Sequence, residues 1–304
     1  MVKRLFIAEK ASLGCEVAIV LAKIAGDSEG QRKASAILNK KEKASSVTIG
    51  DDTITWLAGH FFENDRPSSY GYSFGDLSNM PVVVRGEWKM HLKTDKYGFI
   101  ERQANAVKSL LSQTDEIVNL GDAGREGQLL VDEALVEWGI DPFANNVKRL
   151  WIKSLSDKGV RDALNNIRNN SERKLLYNSA LARSRGDWNH GMTFTGMFTA
   201  FAKKAGAPDG VIISIGRVQT VIARIIYDRE MMYKNFKALN YFSPSIIFEH
   251  EKGNFEAKWQ FSSEMDGCNV DGLLVEKEVV DKMIEKISGK QGNVLDYSTA
   301  VKSV

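Results

Sequence analysis

The sequence predicts an α/β fold: a mostly parallel sheet with flanking helices, then a helical domain, then the start of a mixed α+β segment. Two observations carry this. Through residue 154, apolar runs of strand length at 4–8, 116–118 and 147–152 alternate with stretches of helical spacing, the order that lays parallel strands side by side under helices. Beyond that point the strand patterns stop, and helical spacing runs through 157–167, 171–188 and 192–204 before a break at 206–210 that carries Gly206, Pro208 and Gly210. Domain limits of 1–154, 155–213 and 214–304 follow from these changes of texture.

The elements come in this order. Residues 4–8 form a buried strand, and Ser12 is the expected N-cap of a helix whose apolar positions are Leu13, Val17, Val20, Leu21 and Ile24. The Lys-rich stretch 33–43 reads as an exposed insertion, and 46–57, alternating around Gly50-Asp51-Asp52, as a hairpin. His60 stands alone after it and is read as structural. Gly, Pro, Ser and Asn mark long loops over 66–99, and helical spacing resumes over 100–111. A long helix over 214–235, paired strands over 241–250 and 254–261, a helix over 275–287 and a last strand over 291–297 complete the pattern.

Composition narrows the class. A chain of 304 residues that is 43% apolar and 26% charged suits a globular protein with about two domains. Cys15 and Cys268 are far apart with no CxxC spacing, which argues against a disulfide framework or a zinc site and fits a reducing cytoplasm. No run of eighteen apolar residues occurs, so neither a signal peptide nor a membrane span is expected. Residues 148–185 hold ten Lys/Arg against three acids, a net of +7 that suits either a polyanion or a solvated helical face.

The chemistry concentrates in 119–133, NLGDAGREGQLLVDE, where an apolar strand runs into an amphipathic helix. Asp122 falls at the strand's end and Glu126 in the first helical turn, so both face one point beyond the carboxyl edge of a sheet, where hard oxygen ligands suit Mg²⁺. Ordinary capping describes the same pattern. Gly121, Gly124 and Gly127 let a phosphate or another backbone come close. Glu9 and Lys10 place an acid and a base at the end of the first strand, before a helix whose free amides can receive a phosphate.

The stretches LFIAEKAS (5–12), GDAGREGQLLVDE (121–133), RLWIKSLS (149–156), ALARSRGDWNHGMTFT (180–195) and SIGRVQT (214–220) occur in an order that resembles the type IA DNA topoisomerases, most closely the topoisomerase III-like members. The resemblance covers nearly the whole chain. It implies that 1–154 is a Toprim domain, that 155–213 is a helical DNA-binding domain holding a single strand against it, and that 214–304 begins the arch of a gate. It implies transesterification: a tyrosine attacks a phosphodiester, another strand passes, and the 3′-hydroxyl reseals the break. Glu9 matches the acid that exchanges a proton with the 3′-oxygen, and Lys10 the base that stabilises charge on the phosphate. Glu9, Asp122 and Glu126 match metal positions for Mg²⁺, and Arg183, Asp187, Arg217 and Gln219 match positions that contact single-stranded DNA.

The sequence departs from that pattern in three places. Gly124 stands where the metal set carries its middle acid, which implies weaker Mg²⁺ binding, and Gly196 stands where an Arg is usual. None of the eight tyrosines lies in a segment like I-T-Y-x-R-[ST]-D, and Tyr227 and Tyr233 are read as packing positions on a long helix. The expectation is therefore a fragment or a degenerate homologue that binds single-stranded DNA, does not relax DNA by itself, and works with a missing C-terminal part or a helicase. Apolar faces meant for absent elements would then be exposed and promote association. Two other readings remain: a non-catalytic DNA-binding accessory protein, and a Toprim nuclease using metal-activated water.

Overall fold

The computed structural model describes residues 3–293, which fall into two compact units, one running to Ala223 and the other from Arg224. In the first unit a six-stranded sheet has the order β2-β3-β1-β6-β7-β8. Its strands are β1 (Arg4–Ala8), β2 (Ser46–Ile49), β3 (Asp52–Trp56), β6 (Glu116–Leu120), β7 (Val147–Arg149) and β8 (Arg168–Asn169). The pairs β1–β3, β1–β6 and β6–β7 are parallel, and the outer pairs β2–β3 and β7–β8 are antiparallel. This is the expected α/β class with a mostly parallel sheet.

Strand alternation explains the two cores. Along β1, Phe6 and Ala8 face one side and Leu5 and Ile7 the other, and all four are buried. Helices cover both faces, so the strand reads as an unbroken apolar run. On the first face, α1 (Ala11–Ala25) contributes Val17, Val20 and Leu21, α2 (Ser28–Leu38) contributes Ala34 and Ile37, and α5 (Asp157–Leu164) contributes Val160. On the second, α3 (Phe99–Leu111) contributes Ala104 and Val107, and α4 (Arg125–Glu137) contributes Val131, Ala134 and Leu135. Each large apolar side chain so buried stabilises the fold by about 1.5–3 kcal/mol.

Three local expectations are corrected. Ser12 is not the N-cap of α1: Lys10 occupies that position in an extended conformation and makes no side-chain cap. The stretch 33–43 is not a loose insertion, because most of it belongs to α2, capped by the Asp27 carboxylate accepting from the Gly30 amide at 2.8 Å. Its buried positions Gly30, Ala34 and Ile37 keep helical spacing, but two of them are too small to announce an apolar face. The helices expected at 171–188 and 192–204 are one, α6 (Lys174–Lys204), a rod of about 46 Å. Gly191 lies inside it, and a Cβ built there would stand 3.8 Å from the Ile215 carbonyl oxygen.

The stretch 66–99, expected as long loops, also holds a short strand: β5 (Met90–Leu92) pairs antiparallel with β4 (Phe62–Asn64), and the loops between them form one excursion. They dock on α6: the Val82 amide donates to Thr193 Oγ1 at 2.9 Å, and Tyr70, Trp88 and Trp188 meet edge to face. Gly196 lies under this loop, where a Cβ would come 2.7 Å from the Met80 methyl group.

Helix α7 (Gln219–Lys234) is shorter than the expected 214–235 and buries no residue. Tyr227 and Tyr233 are 57% and 78% exposed, so they are not packing positions. The exposed Val221, Ile222, Ile225, Ile226 and Met232 make α7 an uncovered apolar element. In the second unit β9 (Ser245–Phe248) pairs antiparallel with β10 (Phe255–Lys258), and α8 (Lys277–Ile287) follows. Leu274 and Val280 are its buried apolar residues. The strand expected at 291–297 lies, from 294 on, outside the described residues. No helix among the described residues is long and apolar enough to cross a membrane.

Candidate functional site

Ala8 and Leu120 end β1 and β6 as register partners, so Glu9 and Asp122 leave neighbouring parallel strands at the same edge of the sheet. There Glu9 Oε2 accepts from the Asp122 amide at 3.2 Å, and Lys10 Nζ donates to Glu9 Oε1 at 3.0 Å and to Asp122 Oδ2 at 3.1 Å. The Lys10 ammonium is held above its ordinary range, first by its hydrogen bond to Glu9 and then by Asp122.

The glycines serve backbone contact. A Cβ on Gly121 would collide with the Gly127 carbonyl, and one on Gly127 with the backbone of Asp122. The strand-end loop and the first turn of α4 therefore interlock, which fixes Asp122 against the helix start. Gly124, in extended conformation between them, has open space where a side chain would go.

Beneath the loop lies a buried polar network centred on Arg149. Its guanidinium donates to the carbonyls of Asn119 (3.1 Å), Gly121 (2.9 Å), Asp122 (2.8 Å) and Leu150 (2.7 Å), and to Gln128 Oε1 (2.8 Å). Asp132 accepts from Asn119, Gln128 and Asn170 at 2.7–2.9 Å. Burial pushes the Asp132 carboxyl up to about 6 and pulls the Arg149 guanidinium down to about 10. These groups hold the loop that carries Asp122.

Glu126 is drawn aside, its Oε1 lying 2.7 Å from His60 Nε2, with Glu133 3.6 Å from the other ring nitrogen. His60 is raised above its usual range, Glu133 acting first and burial opposing, although Glu126 is the nearer carboxylate. The sequence reading of His60 as structural missed this link. Glu9, Asp122, Glu126 and Arg183 nevertheless line one open cavity of about 350 Å³, with Arg183 reaching it from α6.

Arg183 leads to the remaining residues. Asp187, one turn along α6, lies 3.7 Å from Arg183 Nε and accepts from Arg217 at 2.7 and 3.1 Å. The segment before Arg217 is pinned to α6 where the amides of Ile213 and Ile215 donate to Thr199 and Thr195, each at 3.0 Å. Gln219 does not join: its Oε1 is 3.4 Å from Ser214 Oγ.

Among the described residues no three His, Cys, Asp or Glu side chains gather as a metal-holding group. Lys10 already lies between Glu9 and Asp122, Glu126 is on His60, and Gly124 supplies no donor. In this arrangement the donor set does not fit a magnesium ion.

A family model described as DNA topoisomerase matches residues 171–304, and together with the ordered motifs from Leu5 to Thr220 it supports the likeness to the type IA DNA topoisomerases, topoisomerase III-like. Individual relatives agree. The chain is 31% identical to "DNA topoisomerase 3" of Pasteurella multocida (strain Pm70) over 97% of its own length and 45% of that protein's. It is 31% identical to that of Salmonella typhimurium over 97% of the chain and 43% of the relative, and 30% identical to that of Bacillus anthracis over 99% and 36%. The chain thus spans less than half the length of these relatives.

Proposed function

We propose that this chain binds single-stranded DNA, with one phosphodiester set at Glu9 and Lys10, as the part of a type IA topoisomerase that holds a strand for cleavage and religation by transesterification. The observation that carries the reading is one cavity lined by Glu9, Asp122 and Arg183, continued along α6 through Asp187 to Arg217. In this reading 1–154 acts as the Toprim domain, 155–213 as the strand-binding helical domain and 214–304 as part of the gate.

The residues divide the work by charge. Lys10 neutralises charge that develops on the phosphoryl oxygens, and Glu9 holds or delivers the proton at the 3′-oxygen. Arg183 and Arg217 contact phosphates, and Asp187 orients both guanidiniums. Base identity is not read, which suits low sequence preference. The attacking tyrosine belongs to a motif that this sequence lacks, so the chain by itself binds a strand and does not relax DNA. Magnesium enters only if Lys10 and Glu126 leave their present partners, and we expect weak binding. The setting is the DNA-containing cytoplasm.

Gly124 and the Lys10 bridge favour a second reading, a non-catalytic DNA-binding accessory protein. Incubating labelled single-stranded DNA with the chain, with and without Mg²⁺, separates the possibilities. Binding without cleavage is the expected result. A metal-dependent cut without covalent adduct would identify a nuclease, and absence of binding would refute the DNA reading. Supplying the C-terminal part of a relative to a Gly124→Asp variant then tests the topoisomerase role, with recovered relaxation as the positive outcome.

A further inference from the structure

A second cavity, of about 390 Å³, lies between the segment after β7, helix α5 and the 3-10 turn Asn170–Arg173. Alternation builds its wall: Leu150 and Ile152 turn into the core, while Trp151 and Lys153 turn out to line the space. Arg168 and Arg173 close it from β8 and the turn, and Asp162 is the one acid in the lining. Glu9, Asp122 and Glu126 line the first cavity and not this one.

Its charges are unbalanced. Arg149 has buried Asp132 as an opposing charge, and Arg168 has Glu172 at 3.7 Å. Lys153 and Arg173 have no carboxylate within 4.0 Å among the described residues, and neither donates a side-chain hydrogen bond there. The guanidinium carbons of Arg173 and Arg149 both lie over the Trp151 ring, at 4.5 and 4.7 Å from its centroid. The ring's π-face attracts each cation, but it gathers two like charges on one indole, and Arg173 contributes to the lowered pKa of Arg149. An anion in the cavity would relieve that repulsion and receive donors from Lys153, Arg173 and the Asn166 amide. Fixed, planar guanidiniums suit the tetrahedral oxygens of a phosphate.

We propose that this cavity is a phosphate-binding site, distinct from the acidic pocket, whose occupant is a backbone phosphate of the same nucleic-acid strand. The source of the phosphate rests on the DNA reading above; the anion site itself does not. Arg149 contacts both the cavity and the Asp122 carbonyl, so the two sites share one rigid wall.

The test uses the full chain with Lys153→Gln, Arg173→Gln, both together, and Lys108→Gln on α3, across the sheet, as control. Folding is checked by circular dichroism. Affinity for a fluorescein-labelled single-stranded oligonucleotide is measured across a salt series. Each lost phosphate contact should lower the slope of log K against log salt by about 0.7, and the double variant by about 1.4, with Lys108→Gln unchanged. Lys153→Arg should keep the slope. In parallel, inorganic phosphate is titrated into chain labelled with 5-fluorotryptophan, the Trp151 fluorine signal being assigned with Trp151→Phe.

A reduced slope together with a phosphate-dependent Trp151 shift supports the proposal. Tight DNA binding with an unchanged slope in the folded double variant overturns it while leaving the DNA reading intact. If wild type binds no DNA, the DNA reading and the strand as occupant both fail. A Trp151 shift that saturates and vanishes in the double variant would still support an anion site, and no shift would overturn that too.

Discussion

The floor and the rim of the acidic pocket are built from similar residue types and behave oppositely. In the floor, Arg149, Asp132, Gln128, Asn119 and Asn170 are buried and joined by hydrogen bonds, so any single loss strands the others. At the rim, Lys10, Asp122 and Glu126 are at least half exposed and held by simple ion pairs. Exposed pairs contribute about 0–1 kcal/mol, whereas breaking a buried charged network costs about 3–5 kcal/mol. The floor therefore fixes geometry, and the rim is free to exchange partners when a substrate arrives.

The strongest challenge to this contrast is Arg149→Met, which takes the guanidinium from four carbonyls and Gln128, the Asn119 and Asp122 carbonyls keeping the Leu150 and Gly124 amides as donors. We expect a loss of about 3–5 kcal/mol in urea unfolding. A loss below about 1 kcal/mol, the range of an exposed pair, would erase the distinction.

Gly127→Ala tests the interlock between floor and rim. Its methyl group meets Asp122 backbone that cannot swing away, so a cost of roughly 1–3 kcal/mol is expected, with DNA affinity reduced as Asp122 shifts. Gly124→Ala, added into open space, should be nearly neutral in the same assays and serves as the contrast.

A pH series sharpens the comparison further. The native Asp132 carboxyl titrates near 6, against 3.8 as its ordinary value. Between those values the folded state binds more protons than the unfolded one, so this group's contribution to stability falls as pH rises through the window. Unfolding free energy measured from pH 4 to 7 should show that decline. Asp132→Asn should remove it while lowering stability throughout, because three donors then face an amide.

The smallest expected effect on stability is at the rim. Lys10→Met should change unfolding free energy by less than about 1 kcal/mol. With Gly124→Asp it should convert weak Mg²⁺ binding into binding measurable by calorimetry, since the bridging cation is gone and a donor is gained. Unchanged calorimetry would show that the acids do not converge even when freed.

How much of this was legible varies by residue. The strand at Arg4–Ala8 was readable as an unbroken apolar run, and the hairpin around Gly50 and the helix at Phe99–Leu111 because each repeats an apolar period over enough residues to stand out. Glu9, Asp122 and Arg183 were placed in one region by motif order, and they do line one cavity. Arg149 was not readable as a floor: an arginine in a basic run looks like a solvated face, and its burial depends on Asp132 and Asn119, distant in the chain. His60 was invisible for the same reason, since its carboxylate partners come from another element.

The sequence by itself determined the sheet's strands other than β8, the acid and base at their ends, and the likeness to type IA topoisomerases, because local periodicity and motif order are properties of neighbours in the chain. The tertiary structure alone decided that Lys10 bridges Glu9 and Asp122, that Glu126 turns to His60, and that α6 runs unbroken past Gly191. Those outcomes depend on which charges and surfaces meet across long sequence separations, where a few kilocalories of pairing and packing override local preference.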